Sequence, residues 1–181
     1  MAYRLRKINF LGRQHVVICQ AENGPCPLIA LSNVLLLTKR LEIHSDLSFI
    51  SMPELITLVA NRLFESNPPL ADEALQLNQQ QQLDAVVNML PRLQYGLDVN
   101  LKFTDVDAFE FTEELAAFDL LDVHLYHGWL VDPQEEAASV VGGLSYNQLV
   151  ERAIATSGTP GATAAAASAP SPGAAPDAAA A

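Results

Sequence analysis

The order of apolar and polar residues predicts a small domain of mixed secondary structure. Residues 3–10 and 14–20 have strand character and flank the turn Leu11-Gly12-Arg13, so they are expected to form a β-hairpin. Residues 27–38 are apolar on nearly all sides, which predicts a buried helix. Strands and helices then follow without regular βαβ alternation, and this pattern favours an α+β fold.

Helix-start signals place the remaining helices. A Ser or Thr cap with an acidic or amide side chain nearby opens each of three segments. These caps and the expected helix ends are Ser51 to about Phe64, Thr112 to Leu120, and Ser145 to about Ala155. Residues 83–90 show apolar spacing of a helix that ends before Pro91, with Gln79–Gln82 as its solvated start. Residues 99–103 and 126–131 are predicted strands.

Composition divides the chain into a foldable part and a tail. Residues 157–181 contain 12 Ala and 4 Pro but no large apolar side chain. Such a segment buries too little surface to offset its chain entropy, so it is predicted to be disordered. Residues 1–156 are then expected to form one domain with its own core.

Charge and cysteine usage restrict the partners and the compartment. The net charge is −11, and residues 41–181 carry 20 acidic but only 4 basic side chains. This acidic body argues against nucleic acid as the main partner. No signal peptide or membrane-spanning run is expected, and two cysteines do not make a disulfide framework. A reducing cytoplasmic or nuclear location is therefore predicted, with no membrane association.

Cys26 is the strongest candidate for chemistry. It follows the turn Asn23-Gly24-Pro25 and precedes the predicted helix, whose N-terminus would favour a thiolate. Pro27 suits the first helical position because its missing N–H has no intrahelical partner to lose. A buried cysteine that packs as a small apolar side chain is the alternative.

A thiol nucleophile also needs an oxyanion donor and a base. Gln20, at the end of a predicted strand, can place its amide beside Cys26 as in papain-like sites, or it is an ordinary polar strand-end residue. Among the four histidines His127 is the best base by position, although a structural role is the simpler interpretation. A zinc site built from Cys19, Cys26, His124 and His127 lacks the usual close cysteine spacing, and no phosphate-binding loop is present, so neither metal nor cofactor is predicted.

The segment from Tyr126 to Pro133 contains Trp129, the only tryptophan of the chain. Its composition favours an aromatic core strand. A contact surface for a protein partner is the alternative, because Trp and Tyr concentrate binding energy at interfaces.

Four segments, taken together and in order, resemble the MINDY deubiquitinases. Their sequences are QAENGPCPL (20–28), GLDVN (96–100), YHGWLVDPQ (126–134) and LSYNQLVE (144–151). The resemblance implies a papain-like cysteine protease fold and cleavage of isopeptide bonds in polyubiquitin, with a preference for chains linked through lysine 48 of ubiquitin. It also implies that ubiquitin and polyubiquitin chains are the partners.

The resemblance assigns roles to individual residues. Cys26 falls on the nucleophile of the family, and Gln20 falls on its oxyanion-hole residue. Val99, Trp129 and Tyr146 match positions expected to contact the distal ubiquitin. Asp98 and Glu151 match motif positions near that surface, where acidic groups would complement the basic rim of ubiquitin.

One part of the family pattern is absent from this sequence. The catalytic histidine of the family lies downstream of the LSYNQLVE segment, in an Asn-His-Phe-type motif, whereas this chain continues from Thr156 into its Ala/Pro-rich segment. The expectation is therefore an incomplete papain-like domain, truncated at its C-terminal side. A non-catalytic ubiquitin-binding fragment or pseudoenzyme, and a mis-joined gene model, are the alternatives.

Overall fold

The computed structural model describes residues 2–20 and 26–157. In chain order its elements are β1 (Ala2–Phe10), β2 (Arg13–Ile18), α1 (Pro27–Leu37), β3 (Phe49–Ser51), α2 (Met52–Ser66), α3 (Glu73–Met89), a 3-10 helix (Leu90–Gln94), β4 (Asn100–Leu101), β5 (Phe109–Glu110), α4 (Glu113–Leu120), α5 (Glu136–Val141) and α6 (Tyr146–Ser157). The protein is α+β. It divides into two compact units, one ending at Tyr146 and one starting at Asn147.

The main sheet is antiparallel and has the strand order β2-β1-β3. The predicted hairpin is present, with Leu5 opposite Ile18 at its base. Leu11 and Gly12 form its two-residue turn with φ values of 49° and 74°, which is the backbone that tight hairpin turns require. β3 extends the sheet on the other side of β1 and leads directly into α2.

The core of the first unit surrounds α1. Its most deeply buried apolar side chains come from α1, α2 and the segments that follow α3 and α4: Leu28, Leu31, Leu35, Leu55, Val59, Leu63, Leu90, Leu93 and Leu121. Each such side chain stabilises the fold by about 1.5–3 kcal/mol through its removal from water. α1 ends one residue before its predicted end, and it has buried positions on several sides.

The predicted caps of two helices are confirmed. At the start of α2, the Ser51 hydroxyl accepts a hydrogen bond from the Glu54 N–H at 3.4 Å, and the Glu54 carboxylate accepts one from the Ser51 N–H at 2.8 Å. The Ser51 hydroxyl also donates to that carboxylate, and these bonds lower the pKa of Glu54. Thr112 caps α4 by accepting from the Leu115 N–H.

The prediction for α3 was wrong about its start and right about its end. α3 begins at Glu73, where Asp72 accepts from the Leu75 N–H at 3.0 Å, so Gln79–Gln82 lies inside the helix and not at its start. α3 ends at Met89, before Pro91 as predicted, and the chain continues as the 3-10 helix. A proline is tolerated at this point since the first N–H groups of a helix need no intrahelical acceptor.

The later strands are shorter than predicted. Only Asn100 and Leu101 of residues 99–103 form a strand, and they pair with β5. Residues 126–131 do not form a strand, because among the described residues this segment makes only two isolated backbone bonds to the loop between β4 and β5. β3, β5 and α5 were not predicted, and each has at most six residues.

Two predictions fall largely on residues outside the described ranges. The turn at residues 23–25 lies there, as does the predicted disordered tail except for Ser157, where α6 ends. Among the helices of the described residues, none combines the length and apolarity that crossing a membrane requires.

Candidate active site

Cys26 lies immediately before α1 and is its N-cap residue. Its carbonyl accepts the first helical hydrogen bond, from the Ala30 N–H at 3.1 Å, whereas its side chain makes no capping bond. The thiol is half-buried and free of any disulfide. Cys26 therefore lies at the end of α1 that carries the partial positive charge of the helix.

Gln20 and Cys26 line the same pocket, which has a volume of about 500 Å³. Asn33 is the third polar residue of its lining. The remaining walls are largely apolar: Ile18, Pro27, Ile29, Ala30, Leu97, Phe118 and Leu125. The structure therefore brings an amide side chain and a thiol to one mostly apolar pocket.

Asn33 fixes the two elements that carry these side chains, a role that the sequence interpretation missed. Its Oδ1 accepts from the Ile18 N–H at 2.8 Å, and its Nδ2 donates to the Ile18 carbonyl at 3.0 Å. The amide thus pairs with the last residue of β2 much as a neighbouring strand would. Since Gln20 lies two residues beyond Ile18, this contact sets the strand end relative to α1. The sequence signal for this role was Asn33 itself, the one amide side chain in the mostly apolar helix α1.

No histidine lines this pocket, although all four histidines lie within the described ranges. Nδ1 of His15 lies 3.3 Å from the Leu36 carbonyl oxygen, and Nδ1 of His44 lies 3.5 Å from a carboxylate oxygen of Asp46. His124 and His127 make ring contacts with aromatic neighbours. The residues described at the pocket therefore supply a thiol and amide side chains but no imidazole. Across residues 2–20 and 26–157, no group of three His, Cys, Asp or Glu side chains is placed to hold a metal ion.

Trp129 and Tyr146, two of the residues assigned to ubiquitin contact, meet in the structure. Their ring centroids are 6.3 Å apart and the rings are inclined at 68°, an edge-to-face contact. Trp129 is 57% exposed and Tyr146 is 43% exposed. The composition-based interpretation of Trp129 as part of a core strand was therefore wrong, because its indole is mostly in solvent.

The β4–β5 hairpin explains why these two rings meet. Lys102, just after β4, forms an isolated bridge with Ser145, the residue before Tyr146. The loop between β4 and β5 accepts backbone bonds from both sides of Trp129, from the His127 N–H at 2.8 Å and from the Val131 N–H at 3.2 Å. We call residues 100–110 with Trp129 and Tyr146 the hairpin platform. The hairpin anchors both aromatic residues through backbone contacts.

The other residues assigned to ubiquitin contact, Asp98, Val99 and Glu151, differ in exposure and in the unit to which they belong. Asp98 is exposed, Val99 is half-buried, and both directly precede the platform. The Asp98 carbonyl accepts from the Thr112 hydroxyl at 3.3 Å, which ties this segment to the start of α4. Glu151 is exposed on α6 and belongs to the second unit.

Short stretches of chain connect the pocket with the platform. Leu97 and Leu125 line the pocket. Asp98 follows Leu97 directly, and Trp129 lies four residues beyond Leu125, a span of at most about 14 Å for extended chain. The pocket and the platform are therefore neighbouring parts of the first unit.

Comparisons with known proteins relate the chain to deubiquitinases. A sequence model of the family described as MINDY deubiquitinase matches residues 1–175. The chain is 48% identical over 153 residues to ubiquitin carboxyl-terminal hydrolase MINDY-1 of Mus musculus and of Homo sapiens, which is 84% of this chain and 33% of each relative. It is 42% identical over 153 residues to MINDY-2 of Bos taurus, which is 84% of this chain and 24% of that relative. The chain spans about a third of the length of the MINDY-1 relatives it matches.

Proposed function

Because this chain belongs to the MINDY deubiquitinase family, we propose that it carries the nucleophile and the ubiquitin-binding surface of a cysteine-type deubiquitinase. The observation that carries this proposal is the shared pocket of Gln20 and Cys26. A glutamine at a strand end beside a cysteine at a helix start is the arrangement of papain-like thiol proteases. We assign the first unit to that class on this basis.

In the proposed reaction, the Cys26 thiolate attacks the carbonyl carbon of an isopeptide bond. The carbonyl oxygen becomes anionic, and the Gln20 side-chain N–H with N–H groups at the start of α1 stabilises it. Collapse of this intermediate breaks the carbon–nitrogen bond and releases the lysine amine, which takes up one proton. The thioester left on Cys26 is then hydrolysed by water, which regenerates the thiol.

The proton transfers in this scheme need a base that first accepts the thiol proton and then protonates the amine. None of the four histidines, at its described position, lines the Cys26 pocket. We propose that the 181 residues by themselves react slowly, and that efficient cleavage requires a histidine from a further segment of a longer chain. Loss of a catalytic histidine costs several orders of magnitude in other nucleophile–base systems.

The proposed substrate is polyubiquitin, with a preference for chains linked through lysine 48 of ubiquitin. Val99, Trp129 and Tyr146 would contact the small apolar face of the distal ubiquitin, while Asp98 and Glu151 would complement its basic rim. The exposed indole and phenol rings support this assignment, since exposed aromatic groups commonly mark protein-binding sites. No cofactor, nucleic acid or membrane enters this proposal, and a cytoplasmic or nuclear location suits it.

A second candidate function is non-catalytic ubiquitin binding. It is favoured by the lining of the Cys26 pocket, which includes no imidazole within the described residues. The platform, by contrast, needs no further residue for its two rings to meet. In this case the chain would retain or shield ubiquitin chains without cleaving them.

Labelling with ubiquitin that carries a thiol-reactive group at its C-terminus distinguishes the catalytic function from the non-catalytic one. We expect slow labelling of the 181-residue chain, mapped to Cys26 by mass spectrometry, and faster labelling of a longer chain that contains an Asn-His-Phe-type segment. Ubiquitin binding without any label on Cys26, in either chain, would favour the non-catalytic function. Rapid labelling of the shorter chain would contradict the proposed need for an added base.

A further inference from the structure

The Trp129 backbone is hydrogen-bonded to His127, a histidine that takes no part in the proposed reaction. The Trp129 backbone N–H donates to Nδ1 of His127 at 3.2 Å. A ring nitrogen of histidine accepts a hydrogen bond only when it carries no proton. The geometry therefore makes Nδ1 the acceptor of this bond.

The His127 ring is itself fixed by the hairpin. Its backbone N–H donates to the Val106 carbonyl at 2.8 Å. The ring meets Phe109 edge-to-face, with centroids 5.0 Å apart and planes inclined at 80°. Phe109 is opposite Leu101 in the β4–β5 pair. His127 is thus attached to the platform through both its backbone and its side chain, and its Nε2 is buried without a hydrogen-bond partner among the described residues.

A chain of contacts consequently runs from the hairpin to the exposed indole. Phe109 restrains the His127 ring, His127 restrains the Trp129 backbone, and Trp129 lies against Tyr146. The segment around Trp129 has no strand ladder that would restrain it otherwise. An exposed aromatic side chain that is already ordered loses less entropy when a partner covers it, so its binding is tighter.

We propose that His127 is a positioning residue for ubiquitin binding. Nδ1 of its imidazole ring, which Phe109 restrains, accepts from the Trp129 backbone N–H, so that the indole is presented beside Tyr146. This role is separate from proton transfer at Cys26, and it rests on the proposed binding of ubiquitin by Trp129. It assigns a function to the histidine that the sequence ranked as the best catalytic base.

Two amide substitutions test this role, because they place an acceptor at different distances from the backbone. In His127→Asn the side-chain oxygen occupies the place of Nδ1 and can accept from the N–H two residues later, as Asn does in turns. In His127→Gln the oxygen lies one bond farther out and loses this bond. Titration with ubiquitin should show affinity within about twofold of wild type for His127→Asn and a loss of about fivefold to tenfold for His127→Gln. Equal losses for both variants would overturn the proposal.

A second readout needs no ubiquitin. Trp129 is the only tryptophan, so its fluorescence anisotropy reports the mobility of this one side chain. Anisotropy should fall in His127→Gln and stay near the wild-type value in His127→Asn, with unchanged far-ultraviolet circular dichroism in both. Unchanged anisotropy in His127→Gln would overturn the positioning role. An unaltered ubiquitin affinity in Trp129→Ala would instead contradict the proposed function, while the anisotropy result would still stand.

Nitrogen NMR of the wild-type imidazole provides a third test that requires no substitution. The proposal predicts that Nδ1 carries no proton and accepts the hydrogen bond from Trp129. A proton on Nδ1 would exclude the hydrogen bond from Trp129 and with it the proposed role.

Discussion

The Cys26 pocket and the hairpin platform are neighbours, yet they are built in different ways. The polar side chains of the pocket are Gln20, two residues beyond β2, Cys26 at the N-cap of α1, and Asn33 within α1. The Asn33 amide holds α1 against the end of β2. The platform takes its residues from a later stretch of chain, and its rings already touch. The pocket lacks an imidazole within the described residues, whereas both aromatic rings of the platform lie within them. Recognition and chemistry should therefore be separable in this chain.

Exposure distinguishes the two regions further. The walls of the pocket are mostly side chains of the core or packed against it. On the platform side, Tyr126 is 63% exposed and Leu130 is 50% exposed, next to the exposed Trp129. Apolar surface that stays in solvent in the free protein becomes favourable to bury when a partner covers it. In the proposed function, the pocket holds the reacting group and the platform receives the ubiquitin surface.

Removal of the thiol should have the largest effect and should act on the pocket alone. Cys26→Ala is expected to abolish labelling by the thiol-reactive ubiquitin, because no other group in the pocket is a nucleophile of this kind. Ubiquitin affinity should not change. Cys19→Ala is the matched control, since Cys19 is also a free, half-buried thiol. Labelling that persists in Cys26→Ala and disappears in Cys19→Ala would reverse the assignment.

Loss of the Gln20 amide should slow the chemistry without affecting binding. Removal of one oxyanion donor typically costs about 10²–10³ in rate, so the labelling rate of Gln20→Ala is expected to fall by a factor in that range. Gln14→Ala is the control, because Gln14 is an exposed glutamine of β2 that does not line the Cys26 pocket. If both variants are labelled at the wild-type rate, Gln20 is not an oxyanion donor.

Truncation of the Trp129 side chain should weaken ubiquitin binding without affecting the chemistry at Cys26. Trp129→Ala is expected to weaken ubiquitin binding by about tenfold to thirtyfold, in the range of an interface aromatic residue, while Cys26 keeps its reactivity toward a small alkylating agent. Tyr95→Ala removes another aromatic ring, 80% exposed beyond the 3-10 helix, and should leave the affinity unchanged. Equal losses in the two variants would show that the platform is not the binding surface.

The smallest effect is expected from a change outside both regions. The Ser51 hydroxyl and N–H lower the pKa of Glu54 in the folded state from its usual 4.5, so this carboxylate stabilises the fold above that pH and less as the pH falls through its folded pKa. Glu54→Gln should lower the urea midpoint slightly at neutral pH, and the difference should vanish at acid pH. Labelling and affinity should stay at wild-type values. A pH-independent difference would contradict this linkage.

Local chemistry made much of the fold predictable. The caps at Ser51 and Thr112 satisfy backbone groups within three residues of themselves, so their effect can be read without knowledge of the fold. The apolar run of α1 predicted a buried helix because so few of its positions suit solvent. The shared pocket of Gln20 and Cys26 agrees with the expectation that a strand end and a helix start lie together.

Features that depend on distant partners were not predictable in this way. A strand exists only when another strand pairs with it, and residues 126–131 find just two backbone partners on the β4–β5 loop. The two hydrogen bonds between the Asn33 amide and the Ile18 backbone depend on a tertiary contact between α1 and β2. α3 starts early because Asp72 caps a first turn that lacks an apolar stripe. Composition suggested a core site for Trp129, and only the hairpin contacts show how an exposed tryptophan is held.

The separation of binding from chemistry is tested most directly with polyubiquitin linked through lysine 48. Binding and cleavage by the 181-residue chain are measured in the same samples, together with Trp129→Ala. The prediction is saturable binding that Trp129→Ala weakens, with cleavage that stays slow even when the substrate is bound. Rapid cleavage that depends on Cys26 would contradict this account, because it would place a working base at the pocket.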